Sequence, residues 1–303
     1  MIDHVQSDQS DAHARDRVIA DFLRAHGWPP ESRRPLAGDA SFRRYERLID
    51  GDRRAVLMDA PPPKEDVRPF LRVARLLTGM GLSAPHVLAA DETAGLLLLE
   101  DLGDDTYTRL IARGADERML YELAVDVIIE MHRRLPEEAK AELPRFDETR
   151  ALPQVELLLD WYWPAMMGSP PPDAVRRSYV DAWREVLPKA ARVPESIALF
   201  DFHVDNLLWL PDRPDVAACG LLDFQDAVIA PITFDLVSLL EDVRRDVPTG
   251  IVTACIARYL AAFPELAHDD FAAARAVIGA QRNCRIAGTF VRLWKRDGKP
   301  GYL

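Results

Sequence analysis

From Asp16 to His26 the chain reads DRVIADFLRAH, with Val18, Ile19, Phe22 and Leu23 at helical spacing and Gly27, Pro29 and Pro30 behind them. A helix ending near Gly27 is expected there. The polar residues 1–15 before it carry no apolar period and are expected to be mobile. Two strand-like runs, Ser41 to Ile49 and Arg54 to Ala60, flank the sequence DGD, which predicts a hairpin. Three prolines, Pro61 to Pro63, break the chain. The run EDVRPFLRVARLLTGMGL then places Val67, Phe70, Leu71, Val73, Ala74 and Leu77 on one helical stripe. Short strands are expected at HVLAA and LLLLED. Beyond Gly103 the period turns helical. DERMLYELAVDVIIEMHRRL aligns Leu120, Leu123, Ala124, Val127, Ile128, Met131 and Leu135, and further helices are expected in VRRSYVDAWREVL, TFDLVSLLEDVRR, GIVTACIARYLAAF and FAAARAVIGAQRNCRIAGTFVRLW. The pattern predicts an α+β protein with a small β-rich N-terminal lobe, residues 1–100, and a larger helical C-terminal lobe, residues 101–303. Ligand clefts favour such junctions.

The 303 residues are enough for a sizeable core. The net charge of −11 argues against nucleic acid as a partner, because an acidic surface repels a phosphate backbone. Cys219, Cys255 and Cys284 are far apart and odd in number, which argues against a disulfide framework or a zinc cluster. No apolar run approaches the about 18 residues of a membrane span, and the N-terminal stretch has no apolar signal core. A cytoplasmic protein with no membrane partner is expected. Its oligomeric state is not legible.

Two motifs break the helical half. LFDFHVDNLLWL, Leu199 to Leu210, sets two aspartates, a histidine and an asparagine among apolar residues, and LLDFQDA, Leu221 to Ala227, follows. Burying such groups costs free energy unless each finds a partner. Asp201 and Asn206 are five residues apart, Asp223 follows seventeen residues later, and each motif is introduced by an apolar strand-like segment. A β-loop-β arrangement would bring these oxygens to one point. Magnesium suits hard oxygen ligands of this kind. Phosphoryl transfer needs little more: a carboxylate at the acceptor hydroxyl, oxygens for the metal, and donors or positive charge at the moving group.

The motifs DFHVDN, LLDFQDAVIAPITFDLVSLL and VDVIIEMHRRL resemble those of the aminoglycoside phosphotransferase and choline kinase superfamily, which has a protein-kinase-like bilobal fold. GDASFRRYERL, VLMDAPPPKEDVRPF, LLLLEDLGDDTY, DWYW and QRNCRIAGTFVRLWKRDGKPGYL are similar to the bacterial amino-sugar kinases of cell-wall recycling, which phosphorylate the anomeric hydroxyl of N-acetylmuramate and N-acetylglucosamine. The resemblance runs from about Arg34 to the end. It implies ATP and magnesium as cofactors, Asp201 as the catalytic aspartate, Asn206 and Asp223 as metal ligands, and Asp235 as a brace for the catalytic loop. It also implies a hinge at LLEDLG with Glu100 and Leu102 against the adenine, and a phosphate loop at AGDAS with Gly38 and Ser41.

Two departures stand out. The superfamily has histidine where this chain has Leu199, and a phosphate-binding lysine on the third strand where it has Met58. Arg43, Arg44 and Lys64 are the candidates to supply the missing charge. His203, Trp161, Tyr162, Gln225 and Arg282 are the candidates for holding the acceptor; Arg282 or Arg285 would suit a carboxylate. A satisfied structural histidine at His203, core packing at Trp161 and Tyr162, and a solvated basic face on the last helix are the plainer readings. For His132 a helix-end cation or a packing role is expected. The expected function is ATP- and magnesium-dependent phosphorylation of an amino sugar at C1. The alternatives are a kinase for another small alcohol and a nucleotide-binding pseudokinase that acts as an adaptor.

Overall fold

The structure, a computed structural model, describes residues 2–36 and 43–302, and the side chains of 13–36 and 43–301. The chain divides into two compact units, Met1–Asp104 with Gly220–Gln225, and Asp105–Cys219 with Asp226–Leu303.

The first unit holds α1 (Ile2–Ala25), the strands β1 (Arg33–Pro35), β2 (Arg44–Asp50) and β3 (Arg53–Asp59), then α2 (Arg68–Gly79), β4 (Val87–Asp91) and β5 (Leu96–Leu99). The strands form one antiparallel sheet in the order β1-β2-β3-β5-β4. The DGD sequence closes the β2–β3 hairpin with Gly51 at φ 59°, a value glycine adopts without a Cβ clash. Ile19, Phe22 and Leu23 of α1 and the following Trp28 pack with Leu48, Ala55, Leu57, Leu96 and Leu98. Alternation turns Leu97 and Leu99 to the other face of the sheet, so β5 is apolar and buried throughout. The polar leader expected to be mobile lies within α1, which starts at Ile2. Its last turns have a physical anchor: Arg15 Nη2 meets the carboxylate of Asp59 at 2.6 Å, on a side chain that is 5% exposed. An unpaired aspartate at that depth would be costly.

The second unit runs through α3 (Tyr107–Ala112), α4 (Glu117–Arg134), α5 (Glu137–Glu142) and α6 (Glu148–Leu157), a π turn at Leu158–Tyr162, α7 (Trp163–Met167) and α8 (Asp173–Ala190). It continues with β6 (Glu195–Ala198) and β7 (Leu207–Trp209). After β8 (Cys219–Leu221) come β9 (Val228–Pro231), α9 (Phe234–Leu240), α10 (Thr249–Ala262) and α11 (His268–Lys295). β6 and β9 pair antiparallel. Asp116 and Asp147 cap α4 and α6 by accepting from Met119 N and Arg150 N. Sequence periodicity did not reveal α6, whose apolar positions are interrupted by Pro153. The helix expected over TFDLVSLLEDVRR stops at Leu240. α11 packs against α6, the π turn and α8. At Gly288 the approach is so close that an added Cβ would stand 2.3 Å from the carbonyl of Leu157.

Candidate active site

β6 delivers the chain into Leu199, Phe200 and Asp201. Phe200 has φ 78°, a left-handed conformation that costs a bulky residue roughly 1–3 kcal/mol. Three bonds from α9 hold it there. Asp235, 1% exposed, accepts from Leu199 N at 2.7 Å and from Phe200 N at 3.2 Å, and Ser238 Oγ donates to Phe200 O at 3.2 Å. The Phe200 ring stacks on Phe234 with centroids 5.1 Å apart. Burial pushes the Asp235 carboxyl up to about 7, against the opposing pull of the two backbone N–H donors. The Leu199 side chain, where the superfamily has histidine, is 2% exposed, and its amide is the group Asp235 binds. The loop is therefore braced through its backbone.

Past Asp201 the chain turns, with Asn206 N donating to His203 O at 2.8 Å. Asn206 Nδ2 donates to Asp201 O at 2.9 Å and faces His203 Nε2 at 3.3 Å. This assignment leaves Asn206 Oδ1 as the outward acceptor. His203 is 5% exposed, and burial pushes its imidazole down to about 4, so it is neutral at pH 7. Its Nε2 accepts from Asn206, so its Nδ1 carries the proton; that Nδ1 is buried without a partner. Thr108 Oγ1 donates to Asp205.

α11 brings two arginines to this loop. Arg285 Nη2 donates to Asp201 Oδ1 at 3.1 Å, and its guanidinium carbon lies 4.3 Å from the Phe200 ring centroid. Arg282, one helical turn earlier, is 2% exposed. Its Nη1 reaches Glu241 O at 3.4 Å and its Nε has no partner. Burial, then the like charge of Arg285, push its guanidinium down to about 10. Of the two, Arg285 is the one that touches the candidate catalytic carboxylate. Spacing alone could not separate them, since residues three apart share a helix face.

In the first unit, Leu221 N donates to Ser83 O at 2.9 Å, and Phe224 packs on Phe70 with centroids 4.8 Å apart. These contacts seat Asp223, at φ 55°, in the sheet-bearing unit. Gln225 Nε2 donates to Asp223 Oδ1 at 2.8 Å. Arg43 Nη2 stands 3.8 Å from Asp223 Oδ1, and its Nε stands 3.8 Å from Glu65 Oε2. Arg44 points elsewhere, to Asp59. Met58 on β3 is 1% exposed, opposite Tyr45 and Leu97. Glu65 was missed in the sequence; its only signal was an acid a few residues past a proline break. Glu100 is tied to His86 by two bonds, Glu100 N to His86 O and His86 N to Glu100 Oε2, and Leu102 is half-buried. Arg47 clamps the same stretch through Asp101 at 2.7 Å and Asp104 at 2.6 Å. Gly38 and Ser41 lie outside the described residues.

Trp161 and Tyr162 fall in the π turn, Trp161 half-buried and Tyr162 exposed. His132 packs rather than serving as a helix-end cation. Burial pushes its ring down to about 4, and it contacts Tyr259 OH at 2.7 Å and Ile197 O at 3.2 Å. Asn206 spends its amide nitrogen inward and keeps its oxygen, and Asp223, in the other unit, carries a carboxylate; each is the kind of hard oxygen donor that magnesium takes.

The family model for the phosphotransferase enzyme family matches residues 32–276. The N-acetylmuramate/N-acetylglucosamine kinase of Caulobacter vibrioides is 37% identical, covering 95% of this chain and 88% of that protein. The kinase of the same name from Pseudomonas aeruginosa is 36% identical, covering 95% and 85%. Among solved structures, choline kinase from Streptococcus pneumoniae superposes with a TM-score of 0.62 at 12% identity over 90% of each chain. Aminoglycoside 2'-phosphotransferase-IIIa does so with 0.60 at 17% over 89% of each. These two establish a protein-kinase-like fold. With the family model spanning most of its length, this chain belongs to the phosphotransferase enzyme family.

Proposed function

We propose that this protein transfers the γ-phosphoryl group of ATP to the anomeric C1 hydroxyl of an amino sugar, N-acetylmuramate or N-acetylglucosamine, giving a sugar 1-phosphate for peptidoglycan recycling in the cytoplasm. The observation that carries it is Asp201, fixed beside Asn206 on a loop braced by Asp235, in a chain 33–37% identical to relatives named N-acetylmuramate/N-acetylglucosamine kinase. Asp201 accepts the proton of the C1 hydroxyl as the phosphoryl group moves. Asn206 and Asp223 would each offer an oxygen to magnesium, which when bound would neutralise charge on the phosphates. Glu100 and Leu102 take the adenine side, and Gly38 and Ser41 the phosphate side. Gln225 orients Asp223, and His203 orients the Asn206 amide. Trp161 and Tyr162 offer aromatic faces to the sugar.

Arg43 stands in for the lysine that Met58 displaces. Its guanidinium lies between Glu65 and Asp223, the kind of acid pairing that holds a phosphate-directed cation in place. This supports an active kinase over the pseudokinase reading, which draws on Met58 and Leu199. At Leu199 the loop is braced through its backbone by Asp235.

Turnover with the two sugars, with phosphorus NMR to locate the new phosphate, is the test. A sugar 1-phosphate is expected. Phosphorylation at another hydroxyl would reject the C1 assignment. Turnover of some other alcohol, with neither sugar accepted, would reject the substrate class.

A further inference from the structure

The chain as a whole is acidic, with net charge −11, yet α11 brings two arginines to Asp201. Arg285 contacts Asp201 at 3.1 Å. Arg282 lies one turn away on the same helix face, almost fully buried, and makes no ion pair among the described residues. A buried charge is costly, and the nearby carboxylates of Asp201 and Asp242 offset part of that cost. Two guanidinium groups of α11 thus stand at the half-exposed Asp201 carboxylate, and only Arg285 touches it.

Arg285 itself is only partly committed. A guanidinium presents five N–H donors in a planar fork, and one of them, on Nη2, reaches a protein acceptor among the described residues. Its flat face rests on the Phe200 ring. Stacking of this kind tolerates in-plane rotation, so the fork can turn without leaving the ring. The Asp201 and Arg285 side chains are 36% and 16% exposed, so an incoming acceptor can reach both.

We infer that Arg285 is an exchange latch: it pairs with Asp201 while the acceptor site is empty, and passes to the carboxylate of a carboxylate-bearing amino sugar when that sugar binds. The exchange rests on the function proposed above and deepens it. It frees the Asp201 oxygen that must take the hydroxyl proton, and it does so only when a second carboxylate arrives. A neutral amino sugar must instead share Asp201 with Arg285. Arg285 therefore sets the preference for N-acetylmuramate, whose lactyl group carries the charge, over N-acetylglucosamine, which lacks it.

The test compares kcat and KM for the two sugars in the full-length protein and in Arg285→Met and Arg285→Lys. The ratio of kcat/KM for N-acetylmuramate over N-acetylglucosamine is expected to fall roughly tenfold to a hundredfold in Arg285→Met, the range for loss of a charge-assisted hydrogen bond. Most of that fall should come through KM for the charged sugar. Arg285→Lys, which keeps the charge and loses the fork, should be intermediate. An equal loss on both sugars overturns the latch and leaves the proposed function standing. No turnover of either sugar by the parent overturns both.

Asp201→Asn supplies a second reading that does not depend on Arg285 variants folding. Calorimetry should show N-acetylmuramate binding several-fold tighter to this variant than to the parent, because the competing carboxylate is gone, with no matching gain for N-acetylglucosamine. Unchanged or weaker binding of N-acetylmuramate overturns the exchange.

Discussion

Asp201 and Asp223 both follow apolar strands, and both loops contain a residue in the left-handed region. At the first the strain lies on Phe200, one residue before the acid; at the second it lies on Asp223 itself. The means of support also differ. The Asp201 loop is fixed by backbone bonds to the buried Asp235 and to Ser238, with an aromatic stack beneath. The Asp223 loop is seated by Leu221 N and the Phe224 ring, but its carboxylate is approached by side chains: Gln225 at 2.8 Å, and Arg43 at 3.8 Å, which is an ion-pair distance and too long for a hydrogen bond. Backbone bonds to a buried carboxylate persist whatever the ligand state. A loose side-chain pair can change partner. The first arrangement suits a group that must stay where the reaction happens. The second suits the role proposed for Asp223, taking up and releasing a metal-nucleotide.

Breaking the rigid side should have the largest effects. Asp201→Asn should lower kcat by about a thousandfold or more while ATP binding, followed by calorimetry, persists. A loss of ATP binding would mean that the variant disturbs the fold and not the proton transfer. Asp235→Ala comes next. It leaves two buried N–H groups without acceptors, at about 1–3 kcal/mol each, so the denaturant midpoint should fall and kcat should drop with it. An active, fully stable Asp235→Ala variant would show that the brace is dispensable.

His132 tests the footing of the same loop, since its ring touches Ile197 O on β6. Its pKa in the fold, about 4, lies below the ordinary 6.5. The native state therefore binds fewer protons than the unfolded chain between those values. Stability from the neutral ring is present above pH 6.5 and is lost as pH falls toward 4. By pH 5 the loss is on the order of 2 kcal/mol, and His132→Gln should flatten that part of the stability-against-pH curve. Equal slopes in parent and variant would remove His132 as the cause.

The smallest change is expected on the side-chain-held loop. Arg43→Ala should raise KM for ATP about tenfold, within the range for a lost charge-assisted contact, and Arg43→Lys should recover most of it. If Arg43→Ala leaves both KM and kcat intact, the charge missing at Met58 comes from elsewhere.

Local signals in the sequence predicted what local physics determines. The β2–β3 hairpin was legible because DGD can form little else between two strand-like runs. The stripe of α4 was legible because its apolar residues repeat with the helical period. The five-residue interval from Asp201 to Asn206 marked the loop because both lie on one turn. What escaped depends on distant chain segments. Arg15 meets Asp59 across 44 residues and Arg285 meets Asp201 across 84, and neither partner carries a mark that names the other. The basic character of α11 was visible, but which arginine reaches Asp201 depends on how the helix is rotated against α6. The π turn holding Trp161 and Tyr162 adds a residue that no 3.6-residue pattern anticipates.

Gly288 lies three residues beyond Arg285 and touches the backbone at the end of α6. A single methyl group there has nowhere to go, so any larger residue must wedge the two helices apart. The missing side chain thus works as a gauge block. It sets the gap between two rods, and the rod it seats carries the guanidinium that reaches Asp201. The selectivity proposed for Arg285 is then open to change from the seam between two helices, at a position with no side chain of its own.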